Sequence, residues 1–302
     1  PLFHLKRDRL ARKVDNFLKK NKKRSFKVAT EIQRHIEGHN QAFSDYRAFK
    51  AADNPLKPPF LHLFSENNIG KPIEQFNFDG KKYSRSSLNY LLGLSALKKI
   101  NNTFNPKTVL EIGGGFGILG HILGQSKIKN FRYINLDLPP LSLITENYLM
   151  RVFGKKKVTN YFKVNKNKKI KIKELKSFSS LCCWKIENLV GKIDLFVNFL
   201  SFQEMEPDVL KNYIDHIVKL KPKYILLRNL REGKQKKTKD NFVGVKKQIK
   251  FKDYIQFLKK NYQLVEKNVI PFGYQTIDNF NSEILILKKI RKNNINEKLF
   301  KK

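Results

Sequence analysis

The sequence predicts an α/β protein: an open, mostly parallel sheet of seven strands with an antiparallel last strand, wrapped by helices and preceded by an N-terminal helical cap. Three features of the 302-residue chain carry this expectation. From residue 107 onward, short apolar runs alternate with segments of helical periodicity, the pattern of parallel strands joined by crossovers. The first run leads into a glycine cluster, "VLEIGGGFG" at 109–117. The chain then closes on two successive strands with no helix between them, where a further crossover would have kept the sheet parallel.

Residues 1–100 lack the later alternation and read as the cap, 101–290 as the sheet domain, and 291–302 as a solvated basic tail. "RLARKVDNFLKK" (9–20) and "VATEIQRHIEGHNQAF" (28–43) space apolar residues at helical intervals. "DNPLKPPFLHLF" (53–64) is a proline-punctuated connector, and "FNFDGKKYS" (76–84) a hairpin-like turn about Asp79 and Gly80. "SRSSLNYLLGLSALKKI" (84–100) is a helix with a serine N-cap and a leucine face.

In the second part, "KTVLEIG" (107–113) is the first strand and "GILGHILGQ" (117–125) its helix. "FRYINLDL" (131–138) is the second strand, followed by a helix over 139–154 that starts on prolines and ends at Gly154. "KVTNYFKV" (157–164) is a weaker third strand, and the segment 165–190 fits no element. "KIDLFVNFL" (192–200) is a buried fourth strand and "PDVLKNYIDHIVKL" (207–220) a helix. "KPKYILLRNL" (221–230) is the fifth strand, followed by a basic loop (231–244) and a helix (245–260). "YQLVEKNVIPF" (262–272) and "SEILILKK" (282–289) are the closing pair.

The formal charge is +36, and a basic surface attracts phosphate polyanions. The surplus is lysine rather than arginine and comes with abundant Asn and Ile, whereas specific phosphate contacts favour the arginine fork. A drift toward AT-rich codons leaves this signature, and nucleic acid is disfavoured as partner. A polyanion such as RNA, a nucleotide-sugar or an acidic glycan is the second reading of the charge. No run of about 18 apolar residues occurs, so no membrane span is expected. Cys182 and Cys183 are adjacent, which disfavours a mutual disulfide, and read as reduced, buried thiols of a cytoplasmic protein. The chain opens on Pro1 without a charged-then-apolar leader, which gives the secretory reading no support and leaves an upstream segment open.

The glycine cluster holds two overlapping patterns. Gly115, Gly117 and Gly120 fit the G-x-G-x-x-G of a dinucleotide fold, while Glu111, Gly113, Gly115 and Gly117 fit acid-x-G-x-G-x-G, the opening signature of an S-adenosyl-L-methionine site. Glu111 discriminates. A pyrophosphate repels a carboxylate beside it, whereas the ammonium of a methionine moiety attracts one. Asp137, closing the second strand, is placed to accept hydrogen bonds from two ribose hydroxyls, with N-capping of the next helix as its other reading. The last strand tucked between its neighbours is the arrangement of the Rossmann-like class I methyltransferase fold, which sides with the second pattern.

Polar residues crowd the end of the fourth strand in "DLFVNFLSFQEMEPDVL" (194–210), where open α/β sheets place their ligands. Asn198 is expected beside the methyl donor, and Ser201, Gln203 and Glu204 along the cleft; a capping box from Ser201 to Glu204 is the alternative. "EIGGGFG", "INLDLP" and "VNFLSFQEM", with "YSRSSLNYLLGL" and "ILLRNL", resemble the sugar O-methyltransferases of bacterial surface-glycan gene clusters over residues 73–288. Phe199-Leu200 departs from the smaller or polar residues expected there. The resemblance implies a sugar or nucleotide-sugar acceptor and methyl transfer to a hydroxyl.

A sugar hydroxyl is weakly acidic, and Glu204 is by position the expected general base. His121 and His216 read as packing residues. Arg228 and Asn229 end the fifth strand and are expected to face the same cleft, Arg228 holding a phosphate or carboxylate of the acceptor or else forming a structural ion pair; Tyr274 is a candidate acceptor wall. Glu31, His35 and His39 share a helix face, but no fourth ligand accompanies them, so a divalent metal is possible on chemical grounds and not indicated. Two other functions remain open: ribose 2′-O-methylation of RNA, supported by the charge, and a non-catalytic scaffold that keeps the cofactor loop.

Overall fold

The computed structural model describes residues 23–72, 74–101, 103–239, 244–269 and 282–290. The expected helix over 9–20, the tail at 291–302 and Tyr274 lie outside the described residues. The cap begins with a long helix α1 (Lys23–Ala52), followed by the hairpin β1 (Phe76–Phe78) and β2 (Lys81–Tyr83) and by α2 (Arg85–Ile100). The hairpin turns at Asp79 and Gly80, both with positive φ. The expected serine starts α2: Ser84 accepts from the Ser87 amide, and Ser87 Oγ accepts in return from the Ser84 amide at 3.0 Å.

The main sheet contains β3 (Thr108–Ile112), β4 (Arg132–Asp137), β5 (Val158–Thr159), β7 (Phe178–Cys182), β9 (Leu195–Phe199), β10 (Tyr224–Leu230), β11 (Tyr262–Val269) and β12 (Ser282–Lys289). Its order is β11-β12-β10-β9-β3-β4-β7-β5. β12 runs antiparallel to both β10 and β11, tucked between them, while β10, β9, β3, β4, β7 and β5 are mutually parallel. This is the class I methyltransferase fold. Two short strands, β6 (Ile170–Lys171) and β8 (Leu189–Val190), pair separately.

The sheet has eight strands where the sequence predicts seven, and the extra one is β7, inside the segment that fitted no element. All five of its residues are buried, yet two are serines that interrupt the apolar run. Ser179 Oγ bonds Thr159 Oγ1 at 2.9 Å, and Ser180 Oγ accepts from Asn135 Nδ2 at 3.4 Å. Polar residues matched by polar residues of adjacent strands satisfy the burial requirement without producing a hydropathy signal. β7 displaces the expected third strand, which keeps only Val158 and Thr159 at the edge.

Helices α3 (Ile118–Gln125) and α4 (Leu141–Phe153) connect β3 to β4 and β4 to β5; the four-residue helix α5 (Tyr161–Val164) follows β5. Beyond β9 come α6 (Pro207–Lys219) and, after β10, α7 (Phe251–Leu258), shorter than its expected 245–260 because its N-cap is Lys250, with Asp253 accepting from the Lys250 amide. One face of the sheet packs a core that runs without interruption from the cap (Ala42, Phe49, Leu88, Leu91) into the strands (Val109, Leu195, Leu226), so the cap is part of the sheet domain's hydrophobic core. The other face packs Leu110, Phe196 and Ile225 against α6 and α7 through Leu210, Ile214 and Tyr254. No helix among the described residues is long and apolar enough to cross a membrane. Both cysteines are free and buried.

Candidate cofactor and acceptor site

The glycine loop leaves β3 at the carboxyl edge of the sheet, beside the point where the order turns from β4 on one side to β9 on the other. Gly113, Gly115 and Gly117 take φ of +72°, +55° and +84°, in the left-handed region that only glycine enters without strain. They are the three glycines of the acid-x-G-x-G-x-G pattern. Gly120, which completed the competing pattern, sits inside α3, where a Cβ would run into the Tyr133 ring; its smallness serves helix-to-strand packing. Three successive loop amides are pinned to β4. Gly113 donates to the Leu136 carbonyl at 2.8 Å, Gly114 to Asn135 Oδ1 at 3.1 Å and Gly115 to Asp137 Oδ2 at 2.9 Å. Beyond the Gly115 Cα the space is open.

Glu111 lies beneath this loop rather than at its surface. Its side chain is fully buried, the Tyr90 hydroxyl donates to Oε1 at 2.6 Å, and the Tyr133 hydroxyl donates to Oε2. The expected contact with a ligand ammonium is therefore corrected to a supporting role, because both carboxylate oxygens are engaged by tyrosines inside the core. Burial pushes the Glu111 carboxyl up to about 7 from an ordinary 4.5, against the lowering effect of the two hydroxyls. The folded state thus holds this proton more tightly than the unfolded chain does. The resulting stabilisation is fully present below pH 4.5 and is lost as pH rises through about 7, amounting to about 3 kcal/mol. Denaturant melts at pH 5 and pH 8 are expected to differ in this direction, and Glu111→Gln should flatten the difference. An unchanged slope in that variant would assign the pH dependence elsewhere, for example to Asp45, whose carboxyl burial pushes up to about 6.

Asp137 ends β4 and is 8% exposed; its Oδ2 accepts from Gly115 and its Oδ1 from the Leu138 amide at 2.8 Å. Burial raises its pKa, opposed by these two backbone bonds. It does not cap α4, whose N-cap is Pro140.

The cluster after β9 is arranged differently from its expectation. Asn198 is fully buried: Nδ2 donates to the Ile112 carbonyl at 2.9 Å and to Ser201 Oγ at 2.5 Å, and Oδ1 accepts from the Phe202 amide at 3.1 Å and from Asn229 Nδ2 at 3.3 Å. It braces three strand ends and has no face left for a ligand, which corrects its placement beside the methyl donor. Gln203 likewise turns inward, its Oε1 accepting from the Leu230 amide at 2.7 Å. Ser201 is half-buried, its Oγ donating to the Ile112 carbonyl at 3.1 Å, and a Cβ on Gly113 would meet it. No capping box forms between Ser201 and Glu204; Phe202–Glu204 is a 3₁₀ turn and Glu206 is the N-cap of α6.

Glu204 ends the 3₁₀ turn after β9, its side chain 56% exposed and paired with Lys234 at 2.7 Å. Arg228 and Asn229 do not share a cleft, because successive strand residues face opposite sides of a sheet. Arg228 is 2% exposed, its Nε donates to Ser282 Oγ at 3.0 Å, and its charge opposes the rise of Asp45 on the cap helix. The structural reading of Arg228 is thus the one whose partners are in place. His121 packs among Phe64, Tyr148 and Phe153, and burial holds it down at about 4. His39 packs its ring against Phe76 and Phe78, while the side chains of Glu31 and His35 lie outside the described ones. Among the described residues no group of three or more His, Cys, Asp or Glu is placed to hold a metal ion.

Two side chains of the site, Leu138 and Trp184, escaped sequence reasoning, and a third, Leu200, was noted only as a departure from the family pattern. Leu138, Trp184 and Leu200 follow β4, β7 and β9, and are 61%, 51% and 39% exposed. Large apolar side chains left exposed at the carboxyl ends of three parallel strands mark a ligand surface. Leu200 also takes φ of +68° and is held there by its amide donating to the Arg228 carbonyl at 2.7 Å. The signal for Leu138 and Leu200 is an apolar residue directly after a strand's last inward position; Trp184 required knowing that β7 exists.

No family model matches the chain, and no curated protein matches it. Solved structures of similar fold include magnesium protoporphyrin IX methyltransferase from Synechocystis PCC 6803 with bound SAM, at 13% identity and a TM-score of 0.44, covering 67% of this chain and 80% of that one. The mitomycin 7-O-methyltransferase MmcR is 10% identical with a TM-score of 0.43, covering 87% and 72%. A 1,6-didemethyltoxoflavin-N1-methyltransferase from Burkholderia thailandensis, with bound 1,6-didemethyltoxoflavin and S-adenosylhomocysteine, is 14% identical with a TM-score of 0.41, covering 62% and 72%.

Proposed function

We propose that the protein is an S-adenosylmethionine-dependent O-methyltransferase acting on a sugar hydroxyl. The observation that carries the cofactor assignment is the loop itself: the three glycines of the acid-x-G-x-G-x-G pattern take left-handed φ, with Gly115 open to the outside and bonded to the carboxylate that closes the next strand. That geometry fits a nucleoside ligand. Each Asp137 oxygen accepts one backbone bond and keeps a lone pair for a ribose hydroxyl. Leu138 supplies exposed aliphatic surface and Trp184 an exposed aromatic face for a purine. When bound, S-adenosylmethionine supplies an electrophilic methyl group on its sulfonium.

The chain's part in the reaction is to hold the acceptor oxygen in line with that methyl group, to exclude water, and to take the hydroxyl proton. Glu204 takes the proton on a carboxylate oxygen, with Lys234 beside it at 2.7 Å. The sugar acceptor rests on the likeness of "VNFLSFQEM" to sugar O-methyltransferases. Calorimetry with S-adenosylhomocysteine tests the cofactor: saturable one-to-one binding is expected, and absence of binding sinks the methyltransferase reading in favour of a scaffold. Mass spectrometry of surface glycan with and without the gene tests the acceptor; loss of one methyl-sugar supports it, an unchanged glycan overturns it. The RNA alternative draws on the +36 charge. Filter binding of bulk RNA is expected to be weak at physiological salt, and submicromolar, steeply salt-dependent binding would reverse that preference.

A further inference from the structure

Beside the glycine loop lies a chamber of about 550 Å³ that no part of the proposed chemistry uses. Its walls come from three elements: Ile69 from the cap, Phe116 and Ile118 from the loop and the start of α3, and Leu143, Ile144 and Tyr148 from α4. Phe116, Leu143 and Ile144 are 59%, 42% and 39% exposed, although a surface helix ordinarily turns polar residues outward. The volume lies within the range of pockets that enclose small organic ligands, about 300–1,000 Å³.

Two charged side chains line the chamber. The Glu66 carboxylate is already engaged, accepting from Ser84 Oγ at 2.5 Å and from Gln75 Nε2 at 3.2 Å. Arg151, in the last turn of α4, is exposed and without an ion-pair partner among the described residues. A bare sugar fits this space poorly. Its hydroxyls point in every direction, and those against the aliphatic walls would lose water without gaining a partner, at about 1–3 kcal/mol each. An apolar body with one acidic group fits both the walls and the one unpaired charge, Arg151.

We propose that the chamber is a binding site for an amphiphilic group, apolar in its body and anionic where it meets Arg151. Under the methyl-transfer reading, on which this last step rests, that group is the aglycone or carrier to which the acceptor sugar is attached. The sugar then extends past Phe116 toward the strand ends, and substrates are glycosides of an apolar acid rather than free sugars.

The test is a fluorescence titration of the full chain with 1-anilinonaphthalene-8-sulfonate, which joins a naphthalene body to a sulfonate, and with its uncharged relative N-phenyl-1-naphthylamine. Saturable single-site binding of both is expected. Ile144→Asp should weaken both by about tenfold or more. Arg151→Gln should weaken only the sulfonate, by about three- to tenfold. Asn147→Trp, which fills the chamber from an exposed position, should exclude both and is independent of any effect of the buried charge on folding. Equal titrations in wild type, Ile144→Asp and Asn147→Trp would overturn the proposal. So would competitive displacement of the probe by S-adenosylhomocysteine, which would give the chamber to the cofactor. If S-adenosylhomocysteine fails to bind wild type, the methyl-transfer reading falls, while the probe and its variants still decide the chamber.

Discussion

Glu204→Gln is expected to lower methyl-transfer turnover about a hundredfold or more while S-adenosylhomocysteine affinity stays at the wild-type value. The substitution keeps the size and planarity of the side chain and removes only its capacity to accept a proton as a carboxylate. Glu204 is exposed, outside the core, and paired among the described residues only with Lys234, so the fold loses little. The split between turnover and cofactor binding is the informative readout. A structural role would move both together, or shift the melting midpoint. Near-wild-type turnover would remove Glu204 from the reaction and turn attention to Asp45, a buried carboxyl at about 6 on the cap helix.

The second large effect is expected at Gly114, which is not one of the left-handed glycines. A Cβ there would overlap Glu111 Oε2 and approach Asn135 Oδ1 to 2.7 Å. Neither atom is free to yield. Glu111 is clamped by Tyr90 and Tyr133, and Asn135 Oδ1 accepts from the Gly114 amide itself while its Nδ2 reaches Thr145 and Ser180. Gly114→Ala must therefore lift the loop, an overpacking cost of about 1–3 kcal/mol. Because binding requires the loop in place, the same energy corresponds to about 5- to 150-fold weaker cofactor binding. Calorimetry with S-adenosylhomocysteine and a denaturant melt measure the two sides. Wild-type values in both would mean that the carboxylate beneath the loop is not fixed.

How much of this was legible from sequence varies by element. The glycine loop was legible because left-handed backbone has a residue signature; what separates the two overlapping patterns in the structure is Gly120, packed against Tyr133 inside α3, rather than the ligand contact expected of Glu111. The antiparallel last strand was legible because the sequence between the two closing apolar runs has no helical periodicity. β7 was not, since Ser179 and Ser180 are satisfied by Thr159 and Asn135, residues remote in the chain. The polar cluster after β9 was correctly placed at a strand end, but its members were assigned to a ligand when Asn198 and Gln203 are consumed by Ile112, Phe202, Asn229 and Leu230. A sequence tells that a strand end carries hydrogen-bonding groups; it does not tell whether neighbouring strands use them first.

Sequence by itself determined the class of sheet, the location of the loop and the order of the elements apart from β7, because these depend on local backbone preference and on hydrophobic period, both properties of contiguous residues. The tertiary structure alone decided which polar groups remain free for chemistry. It turned Glu111 and Asn198 into supports, left Glu204 exposed beside Lys234, and assembled from the cap, the loop and α4 an apolar chamber whose walls are about eighty residues apart in the chain, from Ile69 to Tyr148. Such assignments depend on which side chains meet across strands and helices, and burial makes each unmatched polar group too costly to leave alone.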